Sequence, residues 1–139
     1  MKVFFDTNVY IAEALLGAGA EQMVSVSRRL KWRIFTSSYV LDEVERVLVE
    51  KLQFTRRFAV LTRARVHRRA ILVDVPASRH TVPGDPADSP VLAAALAAGA
   101  DLLVTNDPHL LAINPYEGLR IISMSDYFQL LVDAGHIAI

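Results

Sequence analysis

The sequence has no cysteine. That excludes a disulfide framework and a thiolate metal site, and leaves oxygen and imidazole as the ligands open to a bound metal. It also lacks any run approaching the ~20 uninterrupted apolar residues that cross a bilayer. The opening residues show no charged-then-apolar leader with a cleavage site. The expectation is a cytoplasmic protein with no membrane partner. Net charge is missing as well, with 15 basic residues against 15 acidic ones. What the chain does have is apolar side chain: 53% of its 139 residues are hydrophobic, enough for one domain over 1–139 to bury a core without staples.

The zero net charge hides an asymmetry. From Arg28 to Arg69 there are twelve basic residues and four acids, whereas from Val73 onward there are eight acids and only Arg79 and Arg120. A basic rim beside an acidic pocket suits a polyanion brought to a metal, although a segregated charge run is also what a solvated helix face looks like.

Val3-Phe4-Phe5 reads as a short buried strand that stops at Asp6, ahead of two residues that start helices well. Further strands are expected at Arg33–Thr36, at Ile71-Leu72-Val73 with Val75, at Leu102–Val104 and at Leu119–Ile122. Between them fall helices at Val9–Gly17 and Ala20–Leu30. A third is capped by Ser37 or Ser38, and a fourth has Phe54, Phe58 and Leu61 as its buried stripe. Residues 77–86 read as an irregular loop. An Ala-rich helix, Val91–Ala98, is capped by Asp88 and ended by Gly99. A short helix covers His109–Ile113, and a last one starts at Ser125-Asp126 and runs through Val132. Strands alternating with helices predict an α/β fold with a parallel sheet covered on both faces.

Asp6, Glu43, Asp88 and Asp107 each lie at the end of a strand or the start of the helix leaving it. In a parallel sheet such junctions gather along one edge, where ligands bind. Four carboxylates meeting there repel one another unless protons or cations neutralise them, and a hard divalent ion with oxygen ligands is the natural cation. Taken singly, each acid is equally a helix cap or a favourable charge near a helix N-terminus. Their joint placement is what points to a site. The pattern also describes a response-regulator-like acidic pocket or a haloacid-dehalogenase-type phosphatase, but the latter needs a second Asp where Asn8 stands.

Four segments carry a resemblance. Phe5-Asp6-Thr7-Asn8-Val9, Ser38-Tyr39-Val40-Leu41-Asp42-Glu43-Val44, Asp85-Pro86-Ala87-Asp88 and Leu103-Val104-Thr105-Asn106-Asp107 resemble the ordered acidic motifs of PIN-domain nucleases. The likeness is closest to the single-domain toxin components of toxin–antitoxin pairs. It implies a three-layer α/β/α sandwich with a central, mostly parallel five-stranded sheet, and Mg²⁺- or Mn²⁺-dependent cleavage of single-stranded RNA, or of structured RNA. Asp6 would be the central metal ligand, Asp88 and Asp107 further ligands, and Glu43 a ligand or water-orienting acid. Asp85 resembles an additional acid of the subgroup, while Asn8, Thr105 and Asn106 would hydrogen-bond the carboxylates. Metal-activated water would attack the phosphodiester in line, leaving a 5′-phosphate and a 3′-hydroxyl.

Arg56, Arg57, Arg63 and Arg65 are the expected phosphate contacts, and Trp32 and Tyr39 candidates for stacking on bases. His67, His80, His109 and His136 fall outside the matched motifs, with His109 nearest to one. A cognate antitoxin is the expected protein partner. A homodimer is expected through the apolar tail Ile137-Ala138-Ile139 or the exposed part of the first two helices. The alternative from another class is a non-catalytic PIN-like module that binds RNA or serves assembly.

Overall fold

The computed structural model describes residues 1–75, 83–84 and 89–138. Its order is β1 (Lys2–Phe5), α1 (Thr7–Leu16), α2 (Ala18–Arg29), β2 (Arg33–Thr36), α3 (Ser38–Arg46), a π-helical turn (Val47–Lys51), α4 (Arg56–Arg69), β3 (Ile71–Leu72), α5 (Ser89–Ala97), β4 (Leu102–Val104), α6 (Pro108–Leu111), β5 (Arg120–Ile122) and α7 (Met124–Asp133). The five strands form one sheet in the order β3-β2-β1-β4-β5. All four pairings are parallel, so the sheet described is wholly rather than mostly parallel.

β1 lies at the centre because its side chains can be buried on both sides. Successive residues of a strand point to opposite faces, and Val3, Phe4 and Phe5 are all fully buried. Both faces of the sheet are therefore covered by helices, as the continuous apolar runs of β1 and β4 require. The β1–β4 register sets Phe5 beside Val104, and the Asp6 N–H donates to the Val104 carbonyl at 3.0 Å. Residues 6 and 105, far apart in the chain, thus leave the sheet side by side.

Several boundaries differ from the sequence reading. β3 is only two residues long and both are 46% exposed. It is an edge strand, Val73 adds one ladder bond to the Thr36 carbonyl, and Val75 lies outside the strand. In α4 the stripe Phe54, Phe58, Leu61 is not the buried one. Thr55 caps the helix, leaving Phe54 ahead of it, Leu61 is 57% exposed, and Ala59 and Val66 are the residues buried. The helix packs closely through a small residue, while Phe54 stacks on Phe58 at 4.8 Å nearer the surface. Ser37 caps α3, whereas α7 starts at Met124, one residue before Ser125, and is capped by Ser123. The tail is not an open apolar patch as far as it is described: Ile137 is buried in the core, and Ile139 lies outside the described residues. The loop expected at 77–86 is also largely outside them.

Candidate active site

Asp6 ends β1 and caps α1. It is 4% exposed. Its Oδ1 accepts from the Thr7 N–H at 2.7 Å, and its Oδ2 accepts from the Thr105 hydroxyl at 2.7 Å and from Asn8 Nδ2 at 3.3 Å. Burial pushes the Asp6 carboxyl above the usual aspartate range. The Thr105 and Thr7 hydrogen bonds oppose that shift, and the charges of Asp107 and Glu43 add to it.

Thr105, fully buried after β4, joins the two strand ends. Its hydroxyl donates to Asp6 and accepts from the Asp107 N–H at 3.0 Å and from Asn8 Nδ2 at 3.3 Å. Asp107 caps α6, its Oδ1 accepting from the N–H groups of His109 at 2.7 Å and Leu110 at 3.4 Å. Asn106 turns away from the carboxylates: its N–H donates to Asn8 Oδ1 at 3.3 Å, and its Oδ1 accepts from the Met124 N–H at 3.0 Å. It therefore ties the β4 end to α7, whereas Asn8 and Thr105 touch Asp6 itself.

Glu43 comes from the second turn of α3. Arg46, one turn on, donates to both of its oxygens at 2.7 and 3.0 Å, and this pairing holds the Glu43 carboxyl below its usual range. Asp6, Glu43 and Asp107 line one cleft of about 320 Å³, together with Asn8, Ile11, Tyr39, Val47 and Val91. Lys51 reaches the same cleft. The sequence reading assigned Lys51 no role. Val91 stands in the first turns of α5, while Asp85 and Asp88 lie outside the described residues.

Against known protein families, residues 2–109 match the model for the PIN domain. The chain belongs to the PIN-domain family. PIN domains are nucleases and are typically metal-dependent. Comparison with curated proteins gave no match. The described fold extends past the matched segment: β5 continues the sheet, and Tyr127 and Leu131 of α7 are fully buried.

A divalent cation fits the PIN cleft by the chemistry of its donors. They are carboxylate oxygens, the ligands of Mg²⁺ and Mn²⁺. Asp6 Oδ1 accepts one hydrogen bond, so a lone pair is left for a cation, and a cation there would offset the cost of keeping a buried carboxylate ionised. Among the described residues no three acid or histidine side chains already stand grouped tightly enough to hold an ion.

The arginines expected to meet RNA do not share one surface. Arg56 and Arg63 face acids of α3, pairing with Glu45 at 3.8 Å and with Asp42. Arg65 is on the side of α4 that faces α1, 3.8 Å from the buried Glu13, and Arg57 is exposed. Tyr39 is half-buried in the cleft wall, whereas Trp32 packs against Tyr127 and His136 at 6.5 and 6.1 Å between ring centres. His109 Nδ1 is 3.6 Å from Asp107 Oδ1.

Proposed function

We propose that this PIN protein is a divalent-metal-dependent endoribonuclease that cuts single-stranded RNA, and that it is the toxin of a toxin–antitoxin pair. The observation that carries the reading is the joining of Asp6 and Asp107 through the Thr105 hydroxyl, facing Glu43 across a cleft in a chain of a nuclease family. Asp6, Asp107 and Glu43 would hold Mg²⁺ or Mn²⁺, with Asp88 as a further ligand and Asp85 near it. When bound, the ion would neutralise phosphate charge and lower the pKa of a water, so that on losing a proton it could attack phosphorus as the bond to the 3′-oxygen breaks.

The chain's own groups prepare that site. Thr105 and Asn8 fix the Asp6 carboxylate so that it need not reorganise when charge arrives. Lys51 places a positive charge at the cleft where a phosphodiester enters, and the Tyr39 ring offers a wall for an unpaired base. No side chain need form a covalent bond to the substrate. Each Glu43 oxygen accepts one bond from Arg46 and so keeps a lone pair for a cation, although the guanidinium beside it opposes a second positive charge. Two protein partners belong to this reading, an antitoxin and a second copy of the chain. Exposed Leu15 and Leu16 at the end of α1, with Leu61 of α4, supply apolar surface for such contacts.

The test is cleavage of labelled single-stranded RNA by identically purified wild type and Asp6→Asn, with Mn²⁺, with Mg²⁺ and with a chelator. Cutting by the wild type alone, and only with metal, is expected. Equal cutting by both proteins, or RNA binding with no metal-dependent cutting, would overturn the nuclease reading in favour of contamination or of a binding module.

A further inference from the structure

A second cleft, of about 490 Å³, is lined by Glu21, Ser25 and Arg28 of α2 and by Arg65, Arg68 and Arg69 of α4. It is set apart from the acidic cleft by α1. Ile11 faces the acidic cleft, and Glu13 is two residues, about 200°, further round the helix. On that other side Glu13 accepts the Arg69 guanidinium at 2.7 and 2.5 Å. Arg69 Nε donates to the Arg65 carbonyl at 3.2 Å. The back of this cleft is therefore a fixed ion pair, with the Arg69 side chain only 10% exposed.

The rim differs from the back. Arg28 and Arg68 are exposed and, among the described residues, neither has an ion-pair partner. Four guanidinium groups gather around two carboxylates, Glu13 and Glu21, leaving a local excess of positive charge. Basic residues in the last turns of α2 and α4 suit the helix dipoles. That accounts for a cation at each helix end. It does not account for both ends facing one concavity, where like charges repel unless an anion sits between them. Guanidinium forks match phosphate oxygens in pairs, and contacts to phosphate carry no sequence information.

We propose that this cleft binds phosphates of the RNA backbone and so anchors the strand away from the point of cleavage. The proposal rests on the ribonuclease reading for the identity of the polyanion. The probe is a fluorescently labelled single-stranded oligoribonucleotide, with binding measured by anisotropy in chelator across a range of salt concentrations. The proteins are the wild type, Arg28→Gln/Arg68→Gln and Arg28→Lys/Arg68→Lys. The glutamine pair should weaken binding several-fold at low salt. It should also flatten the slope of log affinity against log salt by about 1.4, as single strands lose ~0.7 per phosphate contact removed. The lysine pair should keep the slope, because the charge remains.

An unchanged slope in the glutamine pair would overturn the proposal. So would inorganic phosphate binding as tightly as the oligonucleotide, which would make the cleft a small-anion site. Loss of slope in the lysine pair equal to that in the glutamine pair would overturn it too, since a pure structural defect would act that way. Cleavage by Asp6→Asn, run in parallel, separates the two readings. Dependence on Asp6 with an unchanged slope removes the anchor alone, whereas cutting that ignores Asp6 beside a flattened slope removes the nuclease reading and leaves the backbone site.

Discussion

Thr105→Val should destabilise the metal-free protein by roughly 2–4 kcal/mol near neutral pH. The side chain is fully buried, and valine has nearly its shape, so packing changes little and the loss falls on three hydrogen bonds. The bond to Asp6 at 2.7 Å is to a charged group, worth about 1.5–3 kcal/mol. The Asp107 N–H, 3.0 Å from the hydroxyl, loses an acceptor, which adds about 1 kcal/mol. The pH dependence follows from Asp6. Its folded-state pKa is raised by burial, so its protonated form is the better tolerated one, and stability from Asp6 falls as pH rises from 3.8 through the raised folded value. The Thr105 bond opposes that rise and favours the carboxylate. Removing it raises the folded pKa further, and the penalty must be larger at pH 7.5 than at acidic pH. Urea unfolding in chelator at several pH values measures this, with Thr105→Ser as the control that keeps the hydroxyl. A loss below about 0.5 kcal/mol, a penalty that grows on acidification, or a serine variant as unstable as the valine one would refute the reasoning.

Two ion pairs can be tested in the same way. Arg69→Met should cost about 3–5 kcal/mol, because Glu13 is left buried without the bidentate partner that compensates it. Glu13→Leu combined with Arg69→Met should recover much of that loss in urea melts, and a double variant no better than the single one would count against the buried pair. Arg46→Gln should strengthen Mn²⁺ binding by up to about fivefold, the equivalent of the ~1 kcal/mol that a partly exposed ion pair is worth. Calorimetric titration with Mn²⁺ measures it, and weaker binding would show that Arg46 positions Glu43 for the ion instead of competing with it.

The strands were legible because each is an apolar run closed by a polar residue, and in β1 and β4 those runs also report burial on both faces. The alternation of elements was enough for a parallel sheet with helices on both sides. The fourth helix was misread because its period was judged from its largest side chains. Phe54, Phe58 and Leu61 do recur at helical spacing, but the buried face, on a helix that packs chiefly against α3, is built on Ala59 and Val66. Burial there selects a small residue, and size is a poor guide to which stripe faces inward when helices pack closely.

For the site, the acids could be named from strand ends, and the bond from Thr105 to Asp6 follows from the β1–β4 register. Of the two cations beside Glu43, only one was legible in the local sequence. Arg46 stands three residues after Glu43, a spacing that pairs side chains on a helix, so its hold on Glu43 was readable. Lys51 was not. Eight residues along a regular α-helix drift by about 80° from the starting face, which would carry Lys51 away from Glu43. The turn Val47–Lys51 is π-helical, with the Leu52 N–H donating to the Val47 carbonyl at 3.0 Å, and a wider turn needs more residues per rotation. The added residue brings Lys51 back toward the face that carries Glu43 and Val47, and all three line the cleft. The same lysine lowers the Glu43 pKa. One irregular turn therefore sets a positive charge beside the acid in the same cleft.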